Sequence, residues 1–331
     1  MTTAVIAGLT GVAGMVGVSN AVNLNPDGLG QVLLYPYYSA RGGNDTLISV
    51  VNTTADAKSV KVRFLEALNS REVLDFNLYL SAFDVWAAAI TVDDDGTGGR
   101  LIIGDSSCTV PYFYGAGTFE DENDRFGTVD FLNFAYTGDF ADGATGDIER
   151  TESGYLEMIE MGVLTDVDFG SATAATHIPT EFGPRPLDCA QLVEAWTTDT
   201  TGGSNTYWNP ADDGAGDPNF DHDVPAGGLF GGAAIINVEE GVMFSYNAEA
   251  IDAFSSSILH TSPGSLEPDL NSGDNTSNVF IGGAVNTQTW PTGVEAVSAT
   301  VLYNELMNEY VTNPALNAMS EWVVTFPTKR F

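Results

Sequence analysis

Residues 60–80 carry the feature that most limits how this chain can fold, an alternation of side chains with a period of two. Val60, Val62 and Phe64 fall on one face of an extended segment, with Lys61, Arg63 and Leu65 on the other. Leu74, Phe76, Leu78 and Leu80 then oppose Val73, Asp75, Asn77 and Tyr79. Only a pleated strand sorts alternate residues to opposite sides, so both stretches are strands. Apolar runs at 31–35 and 46–52 precede them, separated by turns rich in Gly, Asn and Asp. Short strands at this spacing predict a mainly β fold, an antiparallel β-sandwich.

Further along, the pattern loosens. From about residue 93, stretches of Gly, Asp and Thr at 115–127, 137–147 and 199–228 read as long loops, with strand candidates at 128–136 and 155–161. A hairpin is expected from 233–238 to 242–246 across Glu239, Glu240 and Gly241, because Gly takes the positive φ such a turn needs. Helices are few and short: one from Pro186 and Asp188 as start signals, and one placing Leu302, Leu306 and Tyr310 four apart before Pro314. The closing "EWVVTFPTK" reads as a last strand. No fixed-period repeat occurs.

The first 21 residues, apolar and rich in Gly and Ala, resemble the apolar and cleavage regions of a secretory signal peptide, with cutting expected between Ala21 and Val22. A basic leader segment is missing from that stretch. No later run reaches 18 consecutive apolar residues, so no membrane span is expected in the mature chain. The expected organisation is a signal peptide at 1–21, then a single sandwich domain at 22–331 with a large loop-rich insertion at about 93–230. Cys108 and Cys189 are the two cysteines, and in an exported chain they are expected to form a disulfide closing a loop of about 80 residues.

Charge restricts the partners. Against 45 acidic residues stand 11 Lys and Arg, a net charge of −34, and between Arg185 and Lys329 there is no basic side chain. Such a surface repels phosphate backbones and anionic headgroups, which disfavours nucleic acid and membrane surfaces. Four of the cations, Lys58, Lys61, Arg63 and Arg71, lie within fourteen residues. Read as a small positive strand face on an acidic molecule, they offer a head-to-tail contact between copies. Val32 and Leu34, in "GQVLLYPYY", offer a second route, addition of this strand to a neighbour's sheet; the same stretch also serves as the first strand of its own sandwich.

Candidate sites are sparse. Asp212, Asp213, Asp217, Asn219, Asp221 and Asp223 lie within a dozen residues of a Gly-containing loop and supply the hard oxygen ligands that calcium takes, although their spacing is not that of an EF-hand. A solvated acidic loop is the competing reading. His177, His222 and His260 are far apart in sequence and lack zinc-ligand spacing, and His222 between two acids reads as a surface residue. No G-x-S-x-G, P-loop or dinucleotide fingerprint occurs, and no serine has an identifiable base beside it. Aromatic residues including Tyr35, Tyr38, Trp86, Tyr207 and Trp208 either line a sugar-binding face or fill the core.

The pairing of "GQVLLYPYYS" and "TLISVVNTT" near the start with "EWVVTFPTK" at the end resembles a group of uncharacterised exported bacterial proteins, a resemblance that implies no activity. The stretch "LISVVNTTADAKSVKVRFLE" is similar to immunoglobulin-like modules of bacterial surface proteins and pilus chaperones, which implies an immunoglobulin-like sandwich. The expected function is that of an exported extracellular or cell-surface structural protein, a self-assembling filament or surface-layer subunit without catalytic activity. Its alternatives are a calcium-dependent glycan-binding or adhesin module and, after that, a secreted hydrolase.

Overall fold

A computed structural model describes residues 21–113, 127–167, 169–181, 183–197, 207–210, 216–303, 307 and 321–331. In chain order the strands are β1 (Asn23–Leu24), β2 (Val32–Ser39), β3 (Asn44–Asn52), β4 (Lys58–Glu66), β5 (Glu72–Leu80), β6 (Val85–Val92), β7 (Gly99–Ile103), β8 (Cys108–Val110) and β9 (Gly127–Asp130). They continue as β10 (Ser153–Leu164), β11 (His177–Ile178), β12 (Arg185–Pro186), β13 (His222–Asp223), β14 (Leu229–Asn237), β15 (Val242–Asn247), β16 (Glu249–Asp252), β17 (Thr276–Ile281) and β18 (Ala284–Thr289). Three short helices, α1 (Ser171–Ala175), α2 (Cys189–Glu194) and α3 (Gly293–Thr300), accompany them.

Two antiparallel sheets face each other. One runs β1-β16-β2-β10-β4-β5-β8, with β13 also paired to β10; the other runs β15-β14-β3-β6-β7-β9. Inward residues of both close one apolar core: Leu33 and Tyr35 of β2, Val60, Val62 and Phe64 of β4, Phe76 and Leu78 of β5, and Leu156 and Met158 of β10 meet Ile48, Val50, Trp86, Ile90, Leu101 and Leu229. The alternation read at 60–80 therefore points its apolar half into the sandwich. Tyr35 crosses the gap, its hydroxyl donating to the Ser49 carbonyl at 2.7 Å. Gly231 makes room for it, since a Cβ there would stand 1.9 Å from that hydroxyl oxygen. The β14–β15 hairpin forms as expected, with Gly241 at φ 64° in its turn.

The two sheets differ in what lies behind them. All nine residues of β4 are buried, because the eight-stranded sheet is covered on its second face as well. One patch of that cover packs Val32, Leu34, Ile159 and Ile251 under Phe254, Leu270, Ala296 and Val297, the last two from α3. A second packs Tyr79, Cys108 and Leu164 under Ala174, Ala175, Leu192 and Trp208, around α1 and α2. Helix α2 begins where Asp188 predicted, with that carboxylate accepting from the Gln191 N–H at 3.2 Å. The disulfide is present, Cys108 to Cys189, and ties edge strand β8 to α2.

Three expectations change. The stretch from residue 93 is not uniformly an insertion: β7 and β9 belong to one sheet, β8 to the other, and β10 is a central strand of the larger one. The segment 321–331 forms no strand, although Thr325 donates to the Pro36 carbonyl. Helix α3 precedes the expected helix; Leu302 is not helical, and Leu306 and Tyr310 lie outside the described residues.

Candidate functional site

The four cations expected to form a positive face are mostly inside. Lys58 and Lys61 are 0% exposed and Arg63 is 1% exposed, and each is paired. Lys58 Nζ meets Glu160 Oε1 at 2.7 Å, and the same carboxylate accepts from the N–H groups of Ala226 and Gly227. Lys61 pairs with Asp75, and Arg63 reaches Glu72 at 2.7 Å and Glu157 at 3.2 Å. Arg330, from the end of the chain, lies 3.9 Å from Glu157 and 3.6 Å from Asp269. Burial pushes the Glu72, Glu157 and Glu160 carboxyls up, against the pull of their cationic neighbours. Only Arg71 is substantially exposed, 3.8 Å from Asp142. These groups are structural, and a docking surface built on Lys58, Lys61 and Arg63 is ruled out by their burial. The difference has a physical source: segments that lie over this end of the sheet, such as Ala226–Gly227 and Asp269, come far later in the chain.

Val32 and Leu34 are likewise buried, and β2 is hydrogen-bonded on both sides, to β10 and to β16. With both edges used, β2 is a strand of its own sandwich.

The acidic loop is only partly described. Asp212 and Asp213 lie outside the described residues. Asp217 accepts from the Asn219 N–H at 2.9 Å, Asp223 is exposed, and Asp221 is buried, accepting from Thr165 Oγ1 at 2.9 Å and the Ser171 N–H at 2.8 Å. Among the described residues no group of three or more His, Cys, Asp or Glu side chains converges as a metal site. His222 is buried rather than on the surface, its ring 4.0 Å from that of His260. Tyr35, Tyr38, Trp86 and Trp208 are fully buried, which leaves none of them free to stack on a sugar.

A polar cluster that sequence spacing did not reveal lies at the β8 end. Ser106 Oγ is 3.4 Å from His177 Nε2, and His177 Nδ1 is 2.9 Å from Ser81 Oγ and 3.4 Å from Asp84 Oδ2. Asp84 is held by the N–H groups of Ser81 at 3.0 Å and Val85 at 2.9 Å, and by Ser107 Oγ at 3.2 Å. Beside it, burial pushes the Asp105 carboxyl up. Ser106 and His177 are 71 positions apart, so neither marks the other in the sequence.

The outer face of the six-stranded sheet is the remaining candidate surface. Register places Ile102, Ala89, Leu47, Ala234 and Ser245 in one row across five strands. Neighbouring rows hold Ala87, Ser49 and Gly232, and Val85, Val51 and Phe230. A further row holds Asp45, Ile236 and Met243. Leu47 is 45%, Val85 51% and Met243 65% exposed, and Ala87 is also exposed. Among the described residues, charge on this face comes from Asp45 and, at its β7–β9 corner, from Arg100 paired with both Asp94 and Asp130, one cation against three acids.

Comparison with protein-family models, with curated proteins and with solved structures finds no match. Among the described residues no helix is long and apolar enough to cross a membrane.

Proposed function

We propose that this chain is an exported structural subunit that self-associates through the outer face of its six-stranded sheet. The observation that carries the reading is the composition of that face: mostly small and apolar side chains, with three acids against one cation, on a molecule of charge −34. Two copies repel over most of their surfaces, so close contact is favourable where acids are few and apolar area can leave water. The small side chains Ala87, Ala89, Gly232 and Ala234 keep the face flat enough for sheet-on-sheet packing. Five strands spaced about 4.8 Å apart, with nine residues in the longest, span roughly 600 Å². A standard stable interface buries about 800 Å² on each partner, so this contact belongs to the modest class and depends on concentration. Export is supported by the signal-like first 21 residues and by the Cys108–Cys189 bond, which is retained in oxidising compartments.

Sedimentation velocity and negative-stain microscopy of the oxidised, purified chain test this. Association should grow with concentration and should be lost in Ala234→Glu, which places a carboxylate at the centre of the face, with an unchanged melting temperature. Monomers up to the solubility limit, or an Ala234→Glu variant that associates like the parent, would overturn it.

A further inference from the structure

The Ser106 cluster has more organisation than a surface hydrogen-bond network needs. His177 Nδ1 is hydrogen-bonded to Ser81 Oγ at 2.9 Å, and the Asp84 carboxylate, which can only accept, lies 3.4 Å from the same nitrogen and favours a proton there. In the tautomer protonated at Nδ1 the lone pair is on Nε2, the atom that faces Ser106 Oγ at 3.4 Å. Serine hydroxyl, imidazole and carboxylate stand in the order that nucleophilic acyl transfer uses, with Ser81 Oγ holding the far nitrogen of the base and the carboxylate beside it to stabilise an imidazolium. Separations of 3.4 Å are typical of such sites before substrate draws the groups together. Among the described residues the Ser106 hydroxyl has one other acceptor, the Pro184 carbonyl, also at 3.4 Å, and no short bond holds it away from the imidazole.

A preformed cavity opens beside this serine. Its volume is about 570 Å³, and Ser106 shares its lining with Tyr112, Ile178, Leu187 and Val193; among the described residues its charged lining is Arg185, Asp188 and Glu194. Pockets of this size, mostly apolar with a few polar groups, bind small molecules. Three separate parts of the fold bring the cluster together: the segment before β8 carries Ser106, the turn before β6 carries Asp84, and β11 carries His177. Helix α2, which lines the cavity with Ala190 and Val193, is tied to β8 by the Cys108–Cys189 bond.

We propose that Ser106, His177 and Asp84 form a hydrolytic site for small esters of apolar carboxylic acids. Ser106 Oγ attacks the ester carbonyl carbon while its proton passes to His177 Nε2. The carbon–oxygen bond to the alcohol then breaks, and His177 returns the proton to the departing oxygen. Water attacks the acyl-serine in the second half, giving up its proton through His177 to regenerate Ser106 and release the acid. Ester and water are consumed, acid and alcohol are formed, and no oxidant or metal is required.

An alkyl fluorophosphonate probe on the oxidised full chain tests the site, with peptide mass mapping of the adduct and hydrolysis of p-nitrophenyl esters from acetate to octanoate as readouts. The probe should phosphonylate Ser106, and ester hydrolysis should fall about 10²-fold or more in Ser106→Ala and in His177→Gln, the scale of a lost nucleophile or base. Melting curves of both variants should match the parent. An unlabelled Ser106, or hydrolysis unaffected by Ser106→Ala, would overturn the proposal. Mapping on the unsubstituted chain decides the matter even where a variant fails to fold, and it is independent of whether copies associate.

Discussion

His222 and His260 show how burial decides the chemistry of single residues here. Each Nδ1 faces a carbonyl that can only accept, Phe220 at 3.0 Å and Pro218 at 2.5 Å, so each Nδ1 carries a proton. The Nε2 atoms then accept, from Ser59 Oγ at 3.1 Å and from Tyr79 Oη at 3.0 Å, and Tyr79 in turn accepts from Trp196 Nε1. Both rings are satisfied as neutral imidazoles, and a second proton on either would be left buried beside the other ring. Burial holds the His222 pKa down at about 4 and the His260 value well below the ordinary one. A folded pKa below the unfolded value means that the stability is fully present above about pH 6.5 and is lost as pH falls toward 4. For His222 that loss is on the order of 3 kcal/mol. Glu72, Glu157 and Glu160, whose folded values are raised, act in the opposite sense and regain stability on acidification. Comparison with His222→Gln separates the two: urea unfolding at pH 7 and pH 4.5 should show the parent losing more than the variant, and equal losses would refute the account.

At the scale of elements, the cover over the eight-stranded sheet is the decisive feature. Where that layer is apolar, α3 and Leu270 sit on Val32 and Ile159. Where it is polar, Lys61 and Arg63 must be matched by carboxylates, because removing one partner of a buried pair leaves a charge that costs several kcal/mol. The link between β8 and α2 stabilises through the unfolded chain. Closing a loop across a separation of 81 residues contributes about 4 kcal/mol in the chain-entropy model. Cys108→Ala with Cys189→Ala should therefore lower the unfolding free energy by roughly that amount in a denaturant titration, while far-ultraviolet circular dichroism retains its β signature at low denaturant. Strands β2 to β5, the β14–β15 hairpin and the start of α2 were legible from local pattern, since alternation, a Gly turn and an N-cap are all short-range signals. The end segment was not: "EWVVTFPTK" has the composition of a strand, yet pairing requires a free edge in reach, and 321–331 has no strand partner.

On the scale of the whole molecule, uneven charge is the governing fact. Six of the eleven cations, Lys58, Lys61, Arg63, Arg100, Arg150 and Arg330, are engaged with carboxylates and little exposed, so the exterior is more one-sidedly acidic than the composition suggests. Long-range repulsion between copies then opposes contact through the weakly charged sheet face, and that repulsion is screened over about 10 Å at 0.1 M salt. Association should consequently strengthen as sodium chloride is raised from low to moderate concentration, as followed by sedimentation velocity. Charge-complementary docking predicts the reverse, dissociation by salt.

The amino-acid sequence alone determined the antiparallel sandwich, the disulfide partners and the excess of negative charge, because each rests on period, residue identity or count and needs no knowledge of distant neighbours. Tertiary structure decided which side of each strand meets water. It buried Lys58, Lys61 and Arg63, left the Leu47–Ala234 face bare, and carried His177 to Ser106. Burial and convergence depend on which remote segments come to lie over a strand, and no local pattern along the chain encodes that meeting.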